Sequence, residues 1–140
     1  MSDDAPVRRV RPTERTAGES TPGMTRAQAV ATGTMWAGFV STDAGMVSGW
    51  HHHGEYETSI YVISGALRME YGPAGAEALE AGPGDFVYVP PHAIHREGNP
   101  SDEESTLAVV RAGSGDPQSN LEGPAPPGTP RRAPTAGGEC

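Results

Sequence analysis

The sequence contains no lysine, and that absence excludes catalysis through a lysine Schiff base. Its single cysteine, Cys140, is the last residue, so no internal disulfide forms and no fixed neighbour activates the thiol. No apolar run is long enough for a signal peptide or a membrane span, which leads to the expectation of a soluble, cytoplasmic protein. Aromatic residues are few, and all of them lie between Trp36 and Tyr88. Positive charge is scarce where structure is expected. Between Thr34 and Arg111, three arginines (68, 96 and 111) stand against eleven acidic residues. The flanking stretches hold seven of each sign, so the net charge of −8 belongs to the centre of the chain. An acidic core without a basic face argues against nucleic acid and against an anionic membrane as partners. The arginines at 8, 9, 11 and 15 read as part of a solvated tail.

The ends of the chain lack apolar periodicity. Residues 1–24 are polar and charged, and residues 114–140 are dominated by Gly, Pro, Ser and Thr. Neither stretch buries enough apolar surface to offset the entropy of ordering, so both are expected to be disordered tails around one domain at 25–113. Within 25–30, "TRAQAV", Thr25 is a candidate cap for a short helix.

No segment of the core has a convincing helical period. Short strands broken by Gly, Pro or Asp are expected instead: 34–42, 46–53, 58–64, "ALRMEYG" after Gly65, "EALEAGPGD", 86–91 and 105–113. Strands at that spacing imply an all-β sandwich or barrel. A core of about 80 residues is close to the size at which a lone domain is marginal, so a homodimer covering sheet edges is expected.

All five histidines fall in two places, 51, 52, 53 and then 92, 95. Five histidines divided between two strand ends are poorly explained by packing and point to a metal site. An affinity tag is excluded because the run is internal to a Trp- and Tyr-containing segment. Side chains alternate along a strand, so His51 and His53 share a face and His52 points away. Pro90 and Pro91 bend the chain, placing His92 in a turn and letting His95 re-enter beside the first cluster.

The two clusters lie in motifs that resemble those of the cupin superfamily. The first motif of that family is glycine, five residues, His-x-His, three or four residues, glutamate, six residues, glycine. Here Gly45, His51, His53, an acidic stretch and Gly65 follow that order. The second motif is matched by Gly84, Pro90, His95 and Asn99, with His92 where the family usually has glycine. The resemblance covers about 80 residues. It implies an all-β double-stranded β-helix, the cupin jelly-roll barrel, with one divalent transition metal inside. It also implies His51, His53, His95 and the first-motif glutamate as metal ligands.

That glutamate is where the chain departs from the pattern. Counting forward from His53 reaches Glu57, but counting back from Gly65 reaches Thr58. Neighbouring strand residues face opposite sides, so either a bulge near 57–59 turns Glu57 inward or Thr58 fills the slot. Glu57 is the preferred reading, with Glu55 facing solvent. Imidazole ligands suit Fe, Mn, Zn, Ni or Cu, and affinity order alone does not choose among them.

By parity, Ile60, Val62, Phe86 and Tyr88 are candidate pocket residues, with ordinary core packing the better reading for Ile60, Val62 and Phe86. Arg68 is a candidate for a substrate carboxylate or for a surface ion pair. The functional expectation is a small metal-dependent enzyme acting on a small organic molecule, with dioxygenase chemistry ahead of isomerase or decarboxylase chemistry. The alternatives are a non-catalytic cupin that senses, carries or stores a small molecule or metal, and a sugar epimerase- or isomerase-like cupin. For the last, the shortage of core arginines argues against a phosphorylated substrate.

Overall fold

The computed structural model describes residues 6–115 and 118–127. Apart from one 3-10 turn at Pro12–Glu14, its regular elements are eleven β-strands. They are β1 (Thr16–Ala17), β2 (Met24–Ala31), β3 (Met35–Thr42), β4 (His51–His52), β5 (Glu57–Ser64), β6 (Leu67–Tyr71), β7 (Glu77–Ala81), β8 (Phe86–Val89), β9 (His95–Gly98), β10 (Ser105–Ala112) and β11 (Ser119–Asn120). They form a six-stranded sheet in the order β1-β2-β3-β10-β5-β8 and a five-stranded sheet in the order β11-β4-β9-β6-β7. All strand pairs are antiparallel. This is the jelly-roll expected from the sequence. No helix among the described residues is long and apolar enough to cross a membrane.

The strands form where inward residues alternate with outward ones. In β5, Thr58, Ile60 and Val62 are buried, while Glu57, Ser59 and Ile63 face out. In β10, Ser105, Leu107 and Val109 are buried in the same way. Leu107 and Val62, both nearly inaccessible, sit between the sheets. Burial of each such side chain contributes about 1.5–3 kcal/mol.

Turn glycines close the hairpins. Gly65 has φ +79, and a Cβ there would lie 2.6 Å from the Ser105 backbone, so the motif glycine joining β5 to β6 is sterically required. The motif asparagine, Asn99, is buried and pins the loop after β9. Its Nδ2 donates to the carbonyls of Thr42 and Glu103, and its Oδ1 accepts from Ser101.

Several expectations are corrected. Residues 25–30 lie in β2 and not in a helix, because seven residue pairs with β3 outweigh the local capping signal of Thr25. Strand pairing extends past both expected boundaries of the 25–113 domain. Thr16–Ala17 pairs with β2, Met24 is buried, and Ser119–Asn120 pairs with β4. The stretches 1–5, 116–117 and 128–140, with Cys140, fall outside the described residues. The expected strand 46–53 narrows to His51–His52 plus an isolated bridge from Val47 to Gly98.

Candidate metal centre

Strand register assembles the three inner histidines. His51 on β4 pairs directly with His95 on β9, and their rings lie 4.4 Å apart between centroids. His53, one alternation further, approaches His51 at 5.0 Å and His95 at 5.2 Å. One donor atom from each of the three lies within 4.8 Å of the other two, and all three residues are buried.

Hydrogen bonds to carbonyls decide which ring nitrogen faces the centre. His51 Nδ1 is 2.9 Å from the Gly49 carbonyl, and His95 Nδ1 is 2.9 Å from the Ala93 carbonyl. A carbonyl only accepts, so each Nδ1 carries the proton and each Nε2 keeps a lone pair. His95 Nε2 is buried and has no hydrogen-bond partner. A buried acceptor left unmet is costly, and a cation at the centre would satisfy it. Burial pushes the His51 imidazole below its ordinary range, and the neighbouring His95 pushes the same way; the Arg111 charge adds a little, against opposition from Glu97 and the Gly49 carbonyl. The neutral imidazole a metal requires is therefore the favoured form. The donor set fits a divalent transition metal.

His52 and His92 lie on the other side of this wall, as alternation and the turn required. His52 Nδ1 accepts from the Gly54 backbone N–H, and its ring is 6.1 Å from that of His92. His92 is exposed, 3.1 Å from Glu55 Oε2, with φ +63 where the family motif has glycine.

The acidic residue is not where the sequence placed it. Alternation in β5 is regular through 57–62, and the register shift between β10 and β5 falls at Thr106/Leu107, away from 57–59. Glu57 therefore points outward, exposed, and accepts a hydrogen bond from the Tyr88 hydroxyl at 2.9 Å. The structure does not bring it to the histidines. Thr58 faces in and is buried, with its Oγ1 unpartnered.

The carboxylate beside the cluster belongs to Glu97, which sequence reasoning missed. Its Oε1 lies 3.7 Å from His95 Nε2 and 3.8 Å from His51 Nε2. Burial alone would raise the Glu97 carboxyl, but pairing with His95, and the positive charge that His95, His51 and His53 carry once protonated in acid, outweigh it and hold it at about 2. The available signal was parity: Glu97 is two residues after His95 on β9 and shares its face.

The histidines border a cavity of about 410 Å³ between the sheets. Its walls include Met24, Val40, Ile60, Leu107 and Val109, with Arg26, Thr58 and Arg111 supplying polar groups. Of the residues suggested by parity, Ile60 lines it, Val62 is core, and Phe86 and Tyr88 are instead exposed on the outer face. The reason is register: Phe86 pairs with the outward Tyr61, and Tyr88 with the outward Ser59. Arg68 pairs with Glu70 and Glu80 away from the cavity, which is the ion-pair alternative.

Comparison with known proteins places this geometry in context. A family model described as "Cupin domain" matches residues 38–111. No curated protein matches the chain. Among solved structures, the polyketide cyclase RemF from Streptomyces resistomycificus is 20% identical with TM-score 0.68, covering 82% of this chain and 85% of its own. KdgF from Halomonas sp. is 24% identical with TM-score 0.61, covering 74% of this chain and 91% of its own. The oxalate decarboxylase OxdC of Bacillus subtilis, in its S161A form, is 23% identical with TM-score 0.64. That match covers 78% of this chain but 30% of the decarboxylase. At these identities the solved structures establish the fold.

Proposed function

Because the chain belongs to the cupin family, we propose that it is a small metal-dependent enzyme that processes a small organic molecule in the cavity above His51, His53 and His95. The observation that carries this reading is the inner triad itself, two of whose rings are turned by carbonyls so that Nε2 faces the shared centre. One divalent ion held by the three imidazoles would supply Lewis acidity and, as iron, redox chemistry with O2. The oxalate decarboxylase among the similar structures has Mn(II) centres, which supports a first-row ion of this kind.

In this reading Glu97, and not Glu57, supplies the negative charge beside the ion. Its carboxylate stands against two of the three ligands, whereas Glu57 is bonded to Tyr88 on the outside. The apolar walls exclude water and orient the substrate, and Thr58 offers an unpartnered hydroxyl. Three protein nitrogens leave open positions for a chelating substrate and O2, the basis for dioxygenase chemistry. A second reading is isomerisation or decarboxylation, favoured by the Glu97 carboxylate, which lies on the cavity wall beside two of the three imidazoles.

Elemental analysis of anaerobically purified protein, followed by oxygen uptake with diketones, catechols and thiols, separates the two. Iron with substrate-dependent uptake supports the oxygenase. Another metal without uptake supports the second reading, and no equimolar metal at all overturns both. A cytoplasmic homodimer belongs to the same proposal. The outer face of β5, β8 and β10 exposes Ile63, Phe86, Tyr88 and Val110, apolar surface that a second copy would cover. A light-scattering mass of one chain would reject the dimer.

A further inference from the structure

Arg111 is the inward residue of β10 that ends the series Leu107, Val109, Arg111, and it lines the same cavity as the histidines. Directly across the sheet it faces Thr58 on β5 and Trp36 on β3, and its guanidinium carbon lies 5.3 Å from the Trp36 ring centroid. Its Nε is buried without a hydrogen-bond partner, and none of the ion pairs among the described residues includes it. An arginine keeps its charge at any working pH, so this is a persistent cation in a partly dry, concave site.

The surroundings sharpen the point. Arg26, the other arginine of the cavity, adds positive charge near Arg111. Arg26 is tied back, donating to the Glu19 carbonyl at 3.1 Å and the Thr21 hydroxyl at 3.4 Å. Among the described residues no hydrogen bond ties Arg111 back in this way, and its Nε is left unmet. The Thr58 hydroxyl beside it is a second buried polar group without a partner. Glu97, on the same cavity wall, offsets part of the Arg111 charge and Arg26 adds to it, and the two unmet groups on neighbouring strands form a corner that can take an anion. The arginine is also close enough to the histidines for His51 and Glu97 to feel its charge.

We propose that Arg111, with Thr58, binds a carboxylate of the substrate, so that the molecule spans from this corner to the histidine centre with its apolar part against Met24, Ile60 and Val109. The substrate class is then a small carboxylate with a short apolar body. The planar guanidinium fork matches a carboxylate in bidentate fashion. A cavity of about 410 Å³ lies at the small end of ligand sites, roughly 300–1,000 Å³. One untethered guanidinium suits a single carboxylate better than a phosphoryl group. The second anchor of the substrate, at the histidines, rests on the metal reading above; the Arg111 corner does not.

The test is calorimetric titration of 2-oxobutanoate and of its uncharged counterpart 2-oxobutanamide, each into metal-free and Mn(II)-treated full-length protein. The carboxylate is expected to bind at least about tenfold more tightly than the amide, and Arg111→Gln to remove that preference by weakening carboxylate binding at least about tenfold. Metal uptake by Arg111→Gln should match the wild type, because Arg111 is no ligand. Arg111→Met, which fills the same space beside Trp36, carries the comparison should the glutamine variant not fold. Equal binding of acid and amide, or carboxylate affinity unchanged by either variant, overturns the proposal. Failure of the wild type to take up Mn(II) or another divalent ion overturns the metal reading instead, and the metal-free titrations still decide the role of Arg111.

Discussion

The inner and outer histidines share a side chain and a few residues of backbone, yet they live in opposite environments. His51, His53 and His95 are buried, crowded to ring separations of 4.4–5.2 Å, and two are locked by backbone carbonyls. His52 and His92 form a looser outer pair at 6.1 Å, the second of them hydrogen-bonded to an exposed glutamate. The same division runs along β5, where Thr58 faces the cavity and Glu57 faces solvent. Identity of a residue type therefore says little here; its parity on the strand assigns its environment.

The largest expected effect breaks the inner set. His51→Ala, His53→Ala and His95→Ala should each abolish equimolar metal by elemental analysis, while His52→Ala and His92→Ala retain it. Loss of metal in His52→Ala with retention in His51→Ala would reverse the assignment of faces.

Next comes the pair of carboxylates. Glu97→Gln should weaken metal binding by about 10- to 100-fold in a competition titration, the scale seen for groups that support metal ligands. Glu57→Gln should leave affinity within about twofold, since its carboxylate bonds only outward to Tyr88. Equal effects of the two would return Glu57 to the site.

Acidification should act on the inner set, and on the surface carboxyl of Glu70, which its bond from Arg96 holds below the usual range. His51 is held below its usual 6.5, so below that pH the unfolded chain takes up a proton that the folded one resists. Stability of the metal-free protein should therefore fall as pH drops below 6.5. Glu97, held at about 2 against an ordinary 4.5, contributes stability that is full above 4.5 and is lost as pH falls toward 2. Thermal melts across pH 7 to 3 check both windows. In His51→Ala the upper window should flatten, and a midpoint that rises on acidification would contradict the assignment.

The smallest effect is at the outer pair. His92→Gly removes a side chain from a φ of +63 and loses an exposed contact to Glu55. These opposing terms should leave stability changed by less than about 1 kcal/mol by urea denaturation, with metal binding intact.

Much of this was legible in the chain. Strand parity selected His51 and His53 over His52, and the Pro90-Pro91 bend brought in His95, because both are local consequences of backbone geometry. The same parity applied to Phe86 and Tyr88 misled, since which face of a strand is inner depends on its partner: β8 pairs with β5 so that Phe86 meets Tyr61 on the outside. The helix suggested by Thr25 failed for a related reason, as β2 is held by its neighbours β1 and β3. Short pairings such as β11 with β4 have no sequence signal at all, because two residues carry no period.

Composition, turn glycines and histidine spacing, all local properties, are enough to specify an all-β chain, its two motifs and three of the residues at the centre. Which carboxylate joins them is a long-range matter. Glu57 and Glu97 lie on different strands in different sheets, and only the packing of β4 against β9, with an unbulged β5 opposite, turns Glu97 in and Glu57 out. Arg111 is likewise unremarked in the linear chain and becomes a cavity cation only when β10 is laid between β3 and β5. Local geometry sets the side to which a residue points relative to its neighbours; the pairing of distant strands sets what is on that side.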